Sequence, residues 1–415
     1  MKNFAIDVKS IYDAETARYD EFKKMNLSLD LSRGKPSAEQ LALSDGLLTV
    51  LKEGKDCIGS VDYRNYGCLD GIPEARKLFS EVIGIERDEI MVLGNSSLNI
   101  MYDVLQKAMQ FGVLGNTPFN KQGKIKWLCP VPGYDRHFSV TEAFGIEMIN
   151  IPMTEKGPDM DAVESYVNFD PTVKGIWCVP KYSNPQGIVY DDETVKRFAA
   201  LKPAAPDFRI YWDNAYMVHA FKEDVPVINL LNEAKANGNG DIVYMFGSTS
   251  KITYAGGGIA FFAASKNNLD DIRRRMGIQT ICFDKINQLA HVKFFGNAEN
   301  IHKHMKKHAD LLRPKFETVM EILTDELSEI AEWYNPVGGY FVSCDLPDGT
   351  AKRTLQLAKD VGVIFTPAGS TFPYKNDPRD RNVRIAPSFP PVEELRLAMQ
   401  VFCCCAKIAY CEKKL

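Results

Sequence analysis

The sequence predicts an α/β protein, a large and mostly parallel sheet covered by helices, followed by a smaller α+β unit. Three observations carry this. Between about residues 55 and 295, short apolar runs alternate with segments of helical periodicity, as repeated βαβ units do. After Gly296 the alternation gives way to long helices and a few short strands. The length of 415 residues leaves room for two or three domains at roughly 150 residues each. The expected division is an N-terminal segment 1–50 packing with the small domain, a large domain 51–295 and a small C-terminal domain 296–415.

Along the chain, the apolar runs 90–93, 125–129, 176–179, 210–212, 243–246 and 259–263 are too short for helices and read as buried strands. Helical periodicity fills intervening stretches such as 99–110 and 191–201. Further on, 300–327 reads as a long charged helix containing Pro314, followed by the segment 337–344 and a helix near 350–361. A short strand at 362–365 and a closing helix from Val392 complete the order. No internal repeat or low-complexity segment is present.

Composition excludes several classes. The net charge of −4 argues against nucleic-acid binding by bulk charge, and Arg273-Arg274-Arg275 reads as a solvated helix face. No run approaches ~18 apolar residues, so no membrane span is expected. The first ten residues lack the apolar stretch of a signal peptide. The ten cysteines form no C-x-x-C pair and are accompanied by only six histidines, so no metal site is expected. They read as small buried hydrophobes of a reducing compartment, which points to the cytoplasm.

Four polar clusters follow the apolar runs, where α/β sheets place their ligands. Asp213-Asn214-Ala215-Tyr216 could hold a cation or cap the next helix. Ser248-Thr249-Ser250-Lys251, leading into Gly256-Gly257-Gly258, could bind phosphate and offer a Schiff-base lysine, or be a turn with a solvated lysine. Asn184-Pro185-Gln186-Gly187 is an ordinary β-turn by sequence whose asparagine could still reach a ligand. Gly94-Asn95-Ser96-Ser97 opens a helix and suits either an anion or an N-cap. Asn184 precedes Asp213 by 29 residues, and Asp213 precedes Lys251 by 38.

In that order and spacing the chain resembles the fold-type-I aminotransferases that use pyridoxal phosphate (PLP). Asn65-Tyr66-Gly67-Cys68-Leu69-Asp70-Gly71-Ile72-Pro73-Glu74 is similar to the family's segment of that kind. The clusters at Asn184, Asp213 and Lys251 follow, and then Pro336-Val337-Gly338-Gly339-Tyr340-Phe341, Pro367-Ala368-Gly369 and Val383-Arg384-Ile385. The opening Leu31-Ser32-Arg33-Gly34-Lys35-Pro36-Ser37 and the run after Lys251 resemble the MocR-type aminotransferase subgroup, several members of which are aspartate aminotransferases. The resemblance implies that domain 51–295 binds PLP. It implies Lys251 as the Schiff-base lysine and general base, Asp213 on the pyridine nitrogen, and Tyr216 and Asn184 on the ring oxygen. Asn95, Ser96, Ser97, Ser248 and Ser250 would bind the phosphate, with Tyr66 reaching across a homodimer that shares its active sites. Tyr134 would stack on the ring, while Arg384, with Asn184 and Gly34 beside it, would take the substrate α-carboxylate.

One position departs from the family. Many members carry an arginine eight residues after the lysine as a phosphate ligand, and here Ile259 stands there. Lys35, Lys181, one of the arginines 273–275, or backbone donors of Gly256, Gly257 and Gly258 could replace it. The expected reaction is L-aspartate plus 2-oxoglutarate to oxaloacetate plus L-glutamate, so the partners are a small amino acid and a 2-oxo acid. Arg33 is the candidate cation for the substrate side chain, with Gln279, Thr280 and Lys285 behind it. Competing readings are an aminotransferase for aromatic, 2-aminoadipate or alanine substrates, or a β-lyase. A MocR-type regulator is remote, because the first matched motif begins at Leu31 and leaves no room for a DNA-binding domain ahead of it.

Overall fold

The computed structural model describes residues 8–415. Its centre is an eight-stranded sheet. In spatial order the strands are Ile90–Val92, Ala260–Ala264, Val243–Ser248, Arg209–Asp213, Val173–Cys178, Lys126–Val131, Glu147–Thr154 and Gly157–Pro158. The five from Val243–Ser248 to Glu147–Thr154 pair in parallel. Ala260–Ala264 runs antiparallel to both its neighbours, and Gly157–Pro158 is an antiparallel edge.

The continuous apolar runs are strands because both faces of this sheet are covered. Val173–Cys178 and Arg209–Asp213 are buried at every residue. Helix Ser97–Phe111 packs on one face and helix Asp192–Ala199 belongs to the core of the other. Sequence periodicity missed Glu147–Thr154, which lies near the edge and is buried only at scattered positions. In the segment 337–344 the strand begins only at Val342 and runs as Val342–Asp345. The first half of the segment is pinned instead by Gly338 and Gly339 packing against Tyr182, where an added Cβ would come within 3.0 Å of that ring or its stem.

A second core lies around the long helix Ala298–Leu327 and the closing helix Val392–Lys414. Helix Val8–Lys24 packs along Val392–Lys414, and strand Leu29–Leu31 pairs in parallel with Val363–Phe365. Residues 37–44 instead meet the N-terminal half of Ala298–Leu327, as the bonds from Gln40 and Ser44 to His308 and His304 show. All ten cysteines are free thiols; Cys403, Cys404 and Cys405 are fully buried in this core. No group of metal-ligating side chains and no helix long and apolar enough to cross a membrane occurs among the described residues.

Candidate active site

The polar clusters converge because each follows the C-terminal end of a strand, and those ends share one edge of the sheet. Asp213 and Ser248 are the last residues of their strands, and Tyr134, Asn184 and the 95–97 loop follow theirs. A cavity of about 470 Å³ opens there, lined by Lys251, Tyr216, Tyr134, Asn184, Arg384, Arg33 and Gly34 among others.

Lys251 forms the floor. Its Nζ lies 4.7 Å from the centroid of the Tyr216 ring. Burial pushes its amine below the ordinary lysine range, opposed by the nearby Asp213 charge. Burial also raises the Tyr134 and Tyr216 phenols, which therefore stay protonated donors at neutral pH. Asp213 is 2% exposed. His137 Nε2 donates to its Oδ2 at 3.1 Å, while its Oδ1 is buried with no partner. His137 is itself fixed, stacked on Trp177 at 4.5 Å. The Trp177 indole N–H donates to Thr141, whose hydroxyl donates to the His137 carbonyl.

Arg384 is buried on the opposite wall. Its Nη1 donates to Asp135 at 2.7 Å and to Asn184 Oδ1 at 3.3 Å, and its Nε donates to Thr366 at 3.4 Å. The guanidinium lies 4.8 Å from the Phe341 ring centroid. Gly34 is what lets the chain pass this ring, since a Cβ there would stand 2.4 Å from Phe341. Arg33 and Arg136 also line the cavity, both exposed. Neither guanidinium has a hydrogen-bond or ion-pair partner among the described residues.

A polar cup lies beside Lys251. The Ser248 hydroxyl donates to Ser250, and the Ser250 hydroxyl donates to the Asn95 carbonyl at 3.2 Å. Ser96 and Ser97 open helix Ser97–Phe111, and no side chain caps its first turn. Uncapped amides at a helix start attract an anion. Gly258 closes against the lysine turn, where a Cβ would meet Thr249 Oγ1 at 2.9 Å.

Ile259 is 1% exposed, in the apolar core; its carbonyl accepts from the Thr249 amide and its amide donates to the Thr249 hydroxyl, so no cation could stand there without leaving the core. The cations considered as its replacement are engaged elsewhere. Lys181 pairs with Asp224, Arg273 with Asp70 and Asp270, and Arg274 and Arg275 with Asp271. Lys35 lies over the Phe389 ring. Gln279 accepts from Lys107, Thr280 donates to the Cys282 carbonyl and Lys285 is buried; none of the three lines the cavity. Tyr66 is 76% exposed and its hydroxyl has no partner among the described residues.

Sequence reading missed His137, Asp135 and Arg136. All three open helix Asp135–Ala143 directly behind Tyr134. The signal was available: three consecutive titratable side chains just past a strand end.

The chain matches the family model described as aspartate amino-transferase over residues 5–415. It is 47% identical over 400 residues to an aspartate aminotransferase of Corynebacterium glutamicum, covering 95% of this chain and 92% of that protein. The crystal structure of an aspartate transaminase from Corynebacterium glutamicum superposes with a TM-score of 0.97 at 46% identity, covering 99% and 98% of the two chains. An alpha-aminoadipate aminotransferase of Thermus thermophilus, solved with N-(5'-phosphopyridoxyl)-L-leucine, shares the fold at a TM-score of 0.75 and 19% identity, over 97% of this chain and 96% of that one. With a fold-type-I architecture and a family match over nearly its whole length, the chain belongs to the aspartate amino-transferase family.

Proposed function

We propose that this aminotransferase moves the amino group of L-aspartate to 2-oxoglutarate with PLP as its cofactor. The carrying observation is the cavity itself. One desolvated lysine, one buried arginine and two unpaired guanidiniums face a space of about 470 Å³. That charge pattern suits a small molecule with two carboxylates, each of which would be costly to bury unpaired.

The residues fit PLP. The buried, unpartnered Asp213 Oδ1 lacks a donor of the kind a protonated pyridine nitrogen offers. Lys251 would hold the cofactor through its amine, Asp213 would pair with the ring nitrogen, and Tyr216 and Asn184 would donate to the ring oxygen. Tyr134 would cover a ring face. Ser248, Ser250, Asn95, Ser96 and Ser97 would hold the phosphate by hydroxyls and helix-end amides. When bound, the cofactor supplies an electron sink for the electrons released at the substrate Cα.

The chain's own groups do the rest. With its pKa lowered, a larger fraction of the Lys251 amine is neutral and able to take the Cα proton. His137 keeps Asp213 oriented against the ring nitrogen. Arg384 takes the α-carboxylate in place of Asp135, and Asn184 and Gly34 keep its fork open to one side. Arg33 and Arg136 would share the distal carboxylate.

A homodimer is part of the same reading. Leu48, Tyr66 and Ile278 are 74%, 76% and 88% exposed, large apolar side chains that a partner subunit would cover. The three-part division 1–50, 51–295 and 296–415, and a reducing cytoplasmic setting for the free thiols, belong to it too. Sedimentation of the purified protein at monomer mass would remove the dimer and the role given to Tyr66.

The deciding experiment is a donor screen on purified, PLP-loaded protein. Aspartate should convert the cofactor spectrum and release oxaloacetate faster than aromatic amino acids, 2-aminoadipate or alanine do. Another amino acid bleaching the spectrum while aspartate leaves it unchanged would replace the substrate assignment.

A further inference from the structure

Five of the six histidines are buried. His137 backs Asp213. The other four surround the turn 249–253 that carries Lys251, and no part of the mechanism above uses them.

Their protons can be assigned from their partners, because a carbonyl only accepts. His219 Nε2 lies 3.2 Å from the Lys251 carbonyl, so it carries the hydrogen. Its Nδ1 is buried with no partner. His304 Nε2 lies 2.8 Å from the Ile252 carbonyl and donates to it. His291 Nδ1 donates to the Asn287 carbonyl at 2.8 Å, leaving Nε2 to accept from Thr253 at 2.9 Å. His308 Nδ1 faces the Gln40 amide nitrogen at 3.1 Å and accepts from it. The Tyr340 hydroxyl donates to the Lys251 carbonyl at 3.4 Å.

Gln40 is the hub. Its Nε2 donates to Tyr340 at 2.9 Å and to His308, while its Oε1 accepts from the Ser37 amide at 3.0 Å. Both kinds of amide atom are used inside the protein, and Gln40 is 0% exposed. It belongs to the short helix Ala38–Ala42, far in sequence from the strand-end motifs. The bracket carries no charge. Burial pushes His219 down to about 3 and His308 to about 4, so neither brings a cation to the lysine at neutral pH.

We propose that Gln40, acting through Tyr340 and together with His219, positions Lys251, so that docking of the N-terminal segment fixes the main chain from which the reactive amine projects. This rests on Lys251 being the cofactor lysine. The lysine carbonyl accepts from two side chains, and one of those donors is held by Gln40. Removing the hub frees Tyr340 and His308 together and lets the turn shift, and a misplacement near 1 Å in a reacting group costs on the order of a hundredfold in rate.

The test uses the full-length protein loaded with PLP, comparing wild type with Gln40→Met and Tyr340→Phe. Steady-state kinetics with aspartate and 2-oxoglutarate, pH titration of the cofactor absorbance, and thermal unfolding are measured for each. A positioning role lowers kcat by about tenfold to a hundredfold and leaves KM for aspartate within about twofold. It also displaces the absorbance titration midpoint by roughly half a unit or more. A lower Tm with unchanged kcat and midpoint marks the bracket as merely structural and overturns the proposal. If Gln40→Met does not fold, Tyr340→Phe, which removes one hydroxyl, decides alone on the same readouts. A Lys251→Ala variant whose cofactor absorbance and its pH titration match those of the wild type sinks the assignment of Lys251 itself, an outcome distinct from failure of the bracket.

Discussion

The floor and the mouth of the cavity are built on opposite terms. At the floor the lysine turn is surrounded by neutral donors, Asp213 is held by a stacked histidine, and little is left unpaired beyond Asp213 Oδ1 and His219 Nδ1. At the mouth Arg33 and Arg136 are exposed with no partner among the described residues. Between them stands Arg384, buried but already holding Asp135. Folding finishes the floor, where an unsatisfied group would cost the fold about 1–3 kcal/mol. At the mouth water satisfies the guanidiniums until a ligand arrives. Substitutions at the floor should therefore act on kcat and stability, and those at the mouth on KM.

The largest expected effect tests the floor. Lys251→Ala should reduce aspartate turnover by at least about a thousandfold, since both the covalent anchor and the general base are lost. Single-turnover absorbance with aspartate reads this, and appreciable remaining activity removes the lysine from its role.

Next is the wall. Arg384→Ala leaves Asp135 and Asn184 facing the cavity without their donor, and should lower kcat/KM by roughly a hundredfold or more. The loss should be similar for aspartate and alanine, because both carry an α-carboxylate. A loss confined to aspartate would instead move Arg384 to the side-chain subsite.

The mouth should respond more weakly and selectively. Arg33→Ala and Arg136→Ala should each raise KM for aspartate by about tenfold, the worth of one charge-assisted bond. KM for alanine should stay nearly constant. Equal changes for both substrates would break the contrast between floor and mouth.

The smallest effect is in stability. Burial lowers the folded-state pKa of His219 to about 3 and of His308 to about 4, against 6.5 for a free side chain. As pH falls from 7 to 6 the unfolded chain takes up protons that the folded chain refuses. Each of the two histidines should then cost roughly 0.7 kcal/mol over that unit, continuing until the folded pKa is reached. The urea midpoint should be lower at pH 6 than at pH 7, and the opposite slope would mean that these rings are protonated in the fold.

How much was legible follows the range of each signal. Lys251, Asp213 and Asn184 sit in local motifs at or just past strand ends, and their convergence follows from the topology of the large sheet; Arg384 also sits in a local motif, but inside a strand of the separate three-stranded sheet, and only tertiary packing brings it to the site. Gln40 carries one local mark, the capping box it forms with Ser37, which says nothing of the lysine turn. It is the third residue of the short helix Ala38–Ala42 and becomes a hub only because His308 and Tyr340, 268 and 300 residues away, come to meet it. The histidines were equally silent, since a lone histidine on an apolar helix face reads the same whether it fills space or brackets a turn. Arg273 misled in the other direction: a basic triplet offers three candidate phosphate ligands until Asp70, Asp270 and Asp271 are seen to hold them.

By itself the sequence determined the α/β class, most of the buried strands along the chain and the residues at their ends, because these depend on periodicity and on short motifs of fixed spacing. Tertiary structure alone decided which cations remain free, which carboxylate each arginine meets, and what stands behind the lysine. Those outcomes depend on pairings across hundreds of residues, where desolvation makes an unpartnered buried polar atom costly.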